Sequence, residues 1–137
     1  MMPGQHKQTF VLARIDAELR LLELESVREI IAAMHLEKPI GVGGRCRGLA
    51  RLRGELIPVF DVSTGREGEL LVTQLIVIAR SYSSSIGVVV DDVLDIVEVE
   101  ISCDIPHATR FGQRVRSADV AGTVVSVLSL DEVLDAA

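Results

Sequence analysis

Aromatic residues are scarce: three Phe, one Tyr and no Trp in 137 residues. Proteins that hold single-stranded nucleic acid stack bases on aromatic rings, so that chemistry has little to work with. Positive charge is outnumbered too, 14 Lys and Arg against 20 Asp and Glu, a net charge of −6. A nucleic-acid footprint needs a basic excess, so no nucleic-acid partner is expected.

Reactive side chains are also few. Cys46 and Cys103 stand alone, with no C-x-x-C spacing, and His6, His35 and His107 share no ligand spacing. No zinc site, catalytic triad or cofactor is therefore expected, and the two thiols read as idle in a reducing compartment. The serines at Ser83, Ser84 and Ser85 lack the glycine-flanked elbow of a hydrolase, and no glycine-rich phosphate loop occurs.

Long apolar runs are missing as well. The longest, residues 75–79 and 86–90, have the length of buried strands, far short of the roughly 18 residues of a membrane helix. Residues 1–10 show no charged segment followed by about 7 to 15 apolar residues, so no export signal is legible. The expectation is a cytoplasmic protein with no direct membrane insertion, and residues 1–8 read as a flexible tail.

What remains is a β pattern. Hydrophobic residues make up 48% of the chain, enough for a core without disulfide or metal staples. Residues 9–15 and 19–25 read as a hairpin around Asp16, Ala17 and Glu18, with Leu21 and Leu22 breaking the alternation. A bulge or a strand buried on both faces would account for that slip. Ser26 can cap a helical turn over residues 27–31 with Glu29 as its capping-box partner, or the same residues can continue as an extended edge. Residues 70–79 and 86–90 form a second hairpin, residues 96–101 alternate as a half-buried strand, and residues 120–127 fold about Gly122. Ser129 and Glu132 start a closing helix over residues 130–134. Eight to ten short strands with one or two short helices indicate an all-β barrel architecture, as one domain or as two lobes on one core.

The most informative stretch is residues 45–61. Arg45, Arg47, Arg51 and Arg53 occupy alternate positions around Leu49, so an ideal strand would carry an arginine stripe on one face. Gly54 and Glu55 fit a type II′ turn with Arg53 at its tip. Pro58 in the return run has no N–H for a ladder, which predicts an edge strand or a bulge. An arginine stripe on an acidic body suits an acidic protein surface, although solvated surface charge explains it as simply. Asp91, Asp92 and Asp95 read as solvated acids in a turn. A pocket where Asp91, Asp92 and His107 converge would instead mark a small-molecule-sensing domain.

In order along the chain, VREI, GLARLRGELIPVFDV, LIVIA, IGVVVDDVLDIVEV and a terminal LSLDEVL resemble the family of the chemotaxis coupling protein CheW over residues 10–134. The resemblance implies two small five-stranded SH3-like β-barrels sharing a hydrophobic core, and no catalytic activity. It implies an adaptor between the cytoplasmic tips of methyl-accepting chemoreceptors and the regulatory domain of the histidine kinase CheA. Adaptors of other chemosensory pathways, such as twitching motility, would look the same. The matching partner-binding positions are Val27 and Glu29 in VREI, then Gly48, Arg51, Arg53 and Gly54, then Leu75 and Gly87 in the groove and second lobe. Arg51 stands where the family usually has asparagine, and the loop before it lacks the usual second proline.

Overall fold

The computed structural model describes residues 7–38, 46–62, 69–81, 83–102 and 116–135. Within them lie ten strands: β1 (Lys7–Ile15), β2 (Glu18–Glu23), β3 (Val27–Ala32), β4 (Cys46–Leu52), β5 (Glu55–Phe60), β6 (Leu75–Ser81), β7 (Ser84–Val90), β8 (Asp92–Glu100), β9 (Ser117–Val120) and β10 (Thr123–Val127). A 3-10 turn, Leu24–Ser26, precedes β3, and the helix α1 (Leu130–Asp135) closes the chain. His6, Arg45, Cys103 and His107 lie outside the described residues, as do the side chain of Glu132 and most of the loops expected at 61–70 and 103–112.

The strands form two five-stranded sheets, in the orders β8-β1-β2-β10-β9 and β3-β6-β7-β5-β4. Each curls shut through one isolated bridge. Ser102, just past β8, pairs with Ser117 of β9; Glu37, beyond β3, pairs with Leu49 of β4. Closure leaves few unpaired backbone groups for another chain to extend.

The lobes have one topology, circularly permuted. Substituting β8, β9, β10, β1 and β2 for β3, β4, β5, β6 and β7 converts the second strand order into the first. The correspondence extends to residues. β3 is bulged against β6 between Val27 and Glu29, where Ala79 and Ile78 are their partners. β8 is displaced against β1 by the same step, with Val93 opposite Ala13 and Asp95 opposite Leu12. The parallel β5–β7 contact of Val59 with Gly87 is matched by that of Val127 with Leu21 between β10 and β2.

Three hydrophobic clusters fill the structure. Phe10, Leu12, Leu21 and Val125 fill the first lobe, and Ile57, Val59, Ile76 and Ile78 the second. Between the lobes, Val11, Ala13, Ile15 and Leu22 pack on Phe60, Val77, Ile86, Val88 and Val90, with Leu128 and Val133 sealing the edge. Leu21 and Leu22 thus face different cores, so β2 is buried on both faces and its pairing with β1 runs without a bulge.

Several local expectations are corrected. Of the two readings of residues 27–31 the extended edge holds and the helical turn does not, because β3 finds a ladder on β6 that one helical turn could not offset. β6 starts at Leu75, and the residues before it form a turn. Lys7 and Gln8 belong to β1, opposite Glu100 and Val99. The β4–β5 turn is Arg53–Gly54, with φ of 49° and 79° between the partners Leu52 and Glu55, which is the type I′ pattern. Pro58 sits on an inner strand. Leu49 points both its N–H and its C=O at Glu37, so at the Leu49–Pro58 pair the ladder side of β5 faces away from β4. There β7 pairs only with the next residues, Val59 and Phe60, and the missing N–H breaks no ladder.

Candidate functional site

Five of the eight singled-out residues lie on β3, β4 and the β4–β5 hairpin of the second lobe, and two of them, Glu29 and Arg53, meet. Gly48 and Arg51 lie on β4, Arg53 and Gly54 form the hairpin tip, and Glu29 lies on edge strand β3. The Arg53 guanidinium donates through both Nη atoms to the two carboxylate oxygens of Glu29, at 2.8 and 2.6 Å. This fork-to-fork geometry ties hairpin to edge strand while the Arg53 side chain stays 65% exposed. Arg28, next to Glu29, donates to Ser85 Oγ on β7 and to Glu55 Oε2 beyond the turn. Ile30 and Leu56, both exposed, lie beside this charged group along β3 and β5. Arg28 and Glu55, the sequence neighbours of Glu29 and Gly54, complete the cluster with Ser85, which only the fold brings there.

The continuous arginine stripe does not form. A bulge between Cys46 and Gly48 breaks the alternation. Arg47 turns inward and donates to Asp61 Oδ2 at 2.6 Å, with side-chain exposures of 9% and 3%. Arg51 remains outside and reaches both oxygens of Glu37, at 3.3 and 3.2 Å, so its charge has a partner within the lobe. Gly48 has a steric cause: at φ 146°, a Cβ would lie 2.8 Å from the Glu37 carbonyl oxygen and 2.9 Å from Leu36 Cβ. The close approach belongs to the bridge that shuts the barrel.

The remaining three residues lie apart. Val27 is half-buried against the shared core and lines a groove of about 300 Å³ between the lobes, with Leu22, Leu128, Leu130, Glu23 and Arg116. Glu23 and Arg116 form an ion pair across it. Leu75 is half-buried on the shared core, opposite Val90 of β7. Gly87 is buried in mid-β7, opposite Ile78 of β6.

The three acids read as solvated in a turn are placed differently. Asp92 and Asp95 belong to β8. Asp92 faces Arg14 at 3.8 Å, and the Asp91 carboxylate accepts hydrogen bonds from Gln74 Nε2 and the Asp16 N–H. Among the described residues no group of three or more His, Cys, Asp or Glu can hold a metal ion, and no helix is long and apolar enough to cross a membrane.

Two closed barrels on one core, with a salt-bridged hairpin and exposed aliphatic side chains at one end, have the architecture of a scaffold or adaptor module. The chain belongs to the CheW-like domain family, whose profile matches residues 9–137. Among solved structures it is similar to the scaffolding protein TtCheW from Thermoanaerobacter tengcongensis. The two share 21% identity and superpose with a TM-score of 0.77, covering 95% of this chain and 89% of that one. The likeness carries the fold, two SH3-like barrels. Comparison with curated proteins finds no match.

Proposed function

We propose that the chain is a non-catalytic adaptor that couples the cytoplasmic tips of methyl-accepting chemoreceptors to the regulatory domain of the histidine kinase CheA. It acts in the cytoplasm and is recruited to membrane-associated receptor arrays; no cofactor takes part. One observation carries this reading: Glu29 and Arg53, which match the family's docking motifs, lie side by side on an exposed end of the second lobe although 24 residues separate them in sequence.

In this mechanism Glu29 holds the Arg53 guanidinium in a fixed plane, so little side-chain freedom is lost when a partner acid approaches it. Ile30 and Leu56 supply apolar area, and Val27 opens onto the inter-lobe groove where a receptor helix packs. Charge reversal separates the internal pair from the docking role. Arg53→Glu lowers affinity for the kinase regulatory domain by roughly 30-fold or more, the scale of a buried charge contact of about 2 kcal/mol or above. The swap Glu29→Arg with Arg53→Glu restores the internal ion pair and the folded stability, but not the affinity. Calorimetric titration reads both; wild-type affinity in the swap would show that Arg53 only braces the hairpin.

A further inference from the structure

Asp91 is the first acid of the sequence run GVVVDDV and the single residue between β7, in the second lobe, and β8, in the first. Its N–H donates to the Arg14 carbonyl at 2.8 Å. Its Oδ2 accepts the Asp16 N–H at 2.6 Å, in the β1–β2 turn of the first lobe. Its Oδ1 accepts Gln74 Nε2 at 3.0 Å, in the loop before β6 of the second lobe.

Gln74 is only 2% exposed and is fixed from the other side. Its Oε1 accepts the Leu71 N–H at 2.9 Å, its N–H donates to the Leu71 carbonyl at 2.9 Å, and its carbonyl accepts the Ala33 N–H at 3.0 Å. A chain of directed bonds thus runs from a turn of one lobe, through one carboxylate, to a buried amide of the other. The core between the lobes is apolar, and burial of apolar surface has no direction. It fixes which faces meet; orientation needs contacts with angular preference.

We propose that Asp91 and Gln74 form a latch that sets the angle at which the two lobes meet. Asp91 is a positioning residue: it keeps the surfaces of the two barrels at one relative orientation. The chemistry of the latch is selective. The Asp16 N–H and Gln74 Nε2 are both donors to the Asp91 carboxylate, so a carboxylate satisfies both, while an amide in its place satisfies one and opposes the other.

The test uses the full chain, isotope-labelled and weakly aligned for NMR. In the wild type, residual dipolar couplings from both lobes fit one alignment tensor. In Asp91→Asn, each lobe keeps its own internal fit but the two require separate tensors, and the Asp16 and Leu71 amides exchange roughly tenfold faster. The double variant Asp91→Asn with Gln74→Glu exchanges donor for acceptor across the contact, since the introduced amide donates to the introduced carboxylate, which still accepts the Leu71 N–H. It returns to one tensor and to wild-type protection. Gln74→Leu, which keeps Asp91, splits the tensors as well and serves if Asp91→Asn does not fold. A single tensor with wild-type orientation in Asp91→Asn or Gln74→Leu overturns the proposal, as does failure of the double variant to recover it.

Discussion

Gly87→Ala distinguishes a packing role from a contact role at one residue. Gly87 pairs with Ile78 on one side and with Val59 on the other. A Cβ there would lie 2.8 Å from Ile76 Cγ2 and 3.0 Å from Val59 Cγ2. Both side chains are fully buried, and both carbons branch from Cβ, so neither swings away without leaving its preferred rotamer. Relief requires the strands to separate by several tenths of an ångström, since carbon atoms rest at about 3.5–4.0 Å. Overpacking of this kind costs about 1–3 kcal/mol. Stiffening the unfolded chain returns about 0.4–1 kcal/mol. The net loss, about 1–2 kcal/mol, lowers Tm by roughly 3–8 °C in a chain of this size. Circular dichroism melts measure it, while titration with the kinase domain below the transition shows unchanged affinity per folded molecule. An unchanged Tm with lost affinity would refute the packing argument and make Gly87 a contact residue.

Arg53→Asn trades the ion pair with Glu29, an exposed contact of about 0.2–1 kcal/mol, for a residue better suited to the positive φ of a type I′ turn. Tm therefore stays within a few degrees while kinase affinity falls; a large drop in Tm would show the ion pair to be a main support of the lobe. Gly54→Ala and Gly122→Ala, at φ of 79° and 90° with open space around each, cost about 1–2 kcal/mol apiece. Denaturant midpoints give similar losses if the permuted hairpins are equivalent, and a clear inequality denies it. Asp61→Ala removes the buried carboxylate that accepts from Arg47 Nη1 and costs on the order of 3–5 kcal/mol; adding Arg47→Met recovers much of that in chemical denaturation, and no recovery would mean the loss lies elsewhere.

Strand pattern and the closing helix were legible in the sequence because each rests on local periodicity. Val97 and Val99 alternate with Glu98 and Glu100 on β8, and Leu130, Val133 and Leu134 share one face of α1 as spaced. What failed was set across the fold. The bulge at Cys46 and Gly48 depends on Glu37 crossing beside the strand and on Asp61 receiving Arg47, and neither is visible within a strand-length window. Glycine fits the first position of a type II′ turn and the second of a type I′ turn equally well, so the register with β5 decided between them. Ser26 and Glu29 have capping-box spacing, but pairing with β6 outweighed one turn of helix. At the candidate site, the motif residues pointed to Glu29 and Arg53, and Arg28 and Glu55 stand in the same motifs, while Ser85 had no sequence signal beyond polarity.

The most direct measurement of the central claim is a three-component reconstitution: the full chain, a chemoreceptor signalling fragment and the cognate CheA, read by co-sedimentation and kinase activity. The adaptor reading predicts that the chain enters the pellet with both partners, that kinase activity rises when all three are present, and that Arg53→Glu abolishes the rise. Sedimentation and activation that are the same with and without the chain would contradict it.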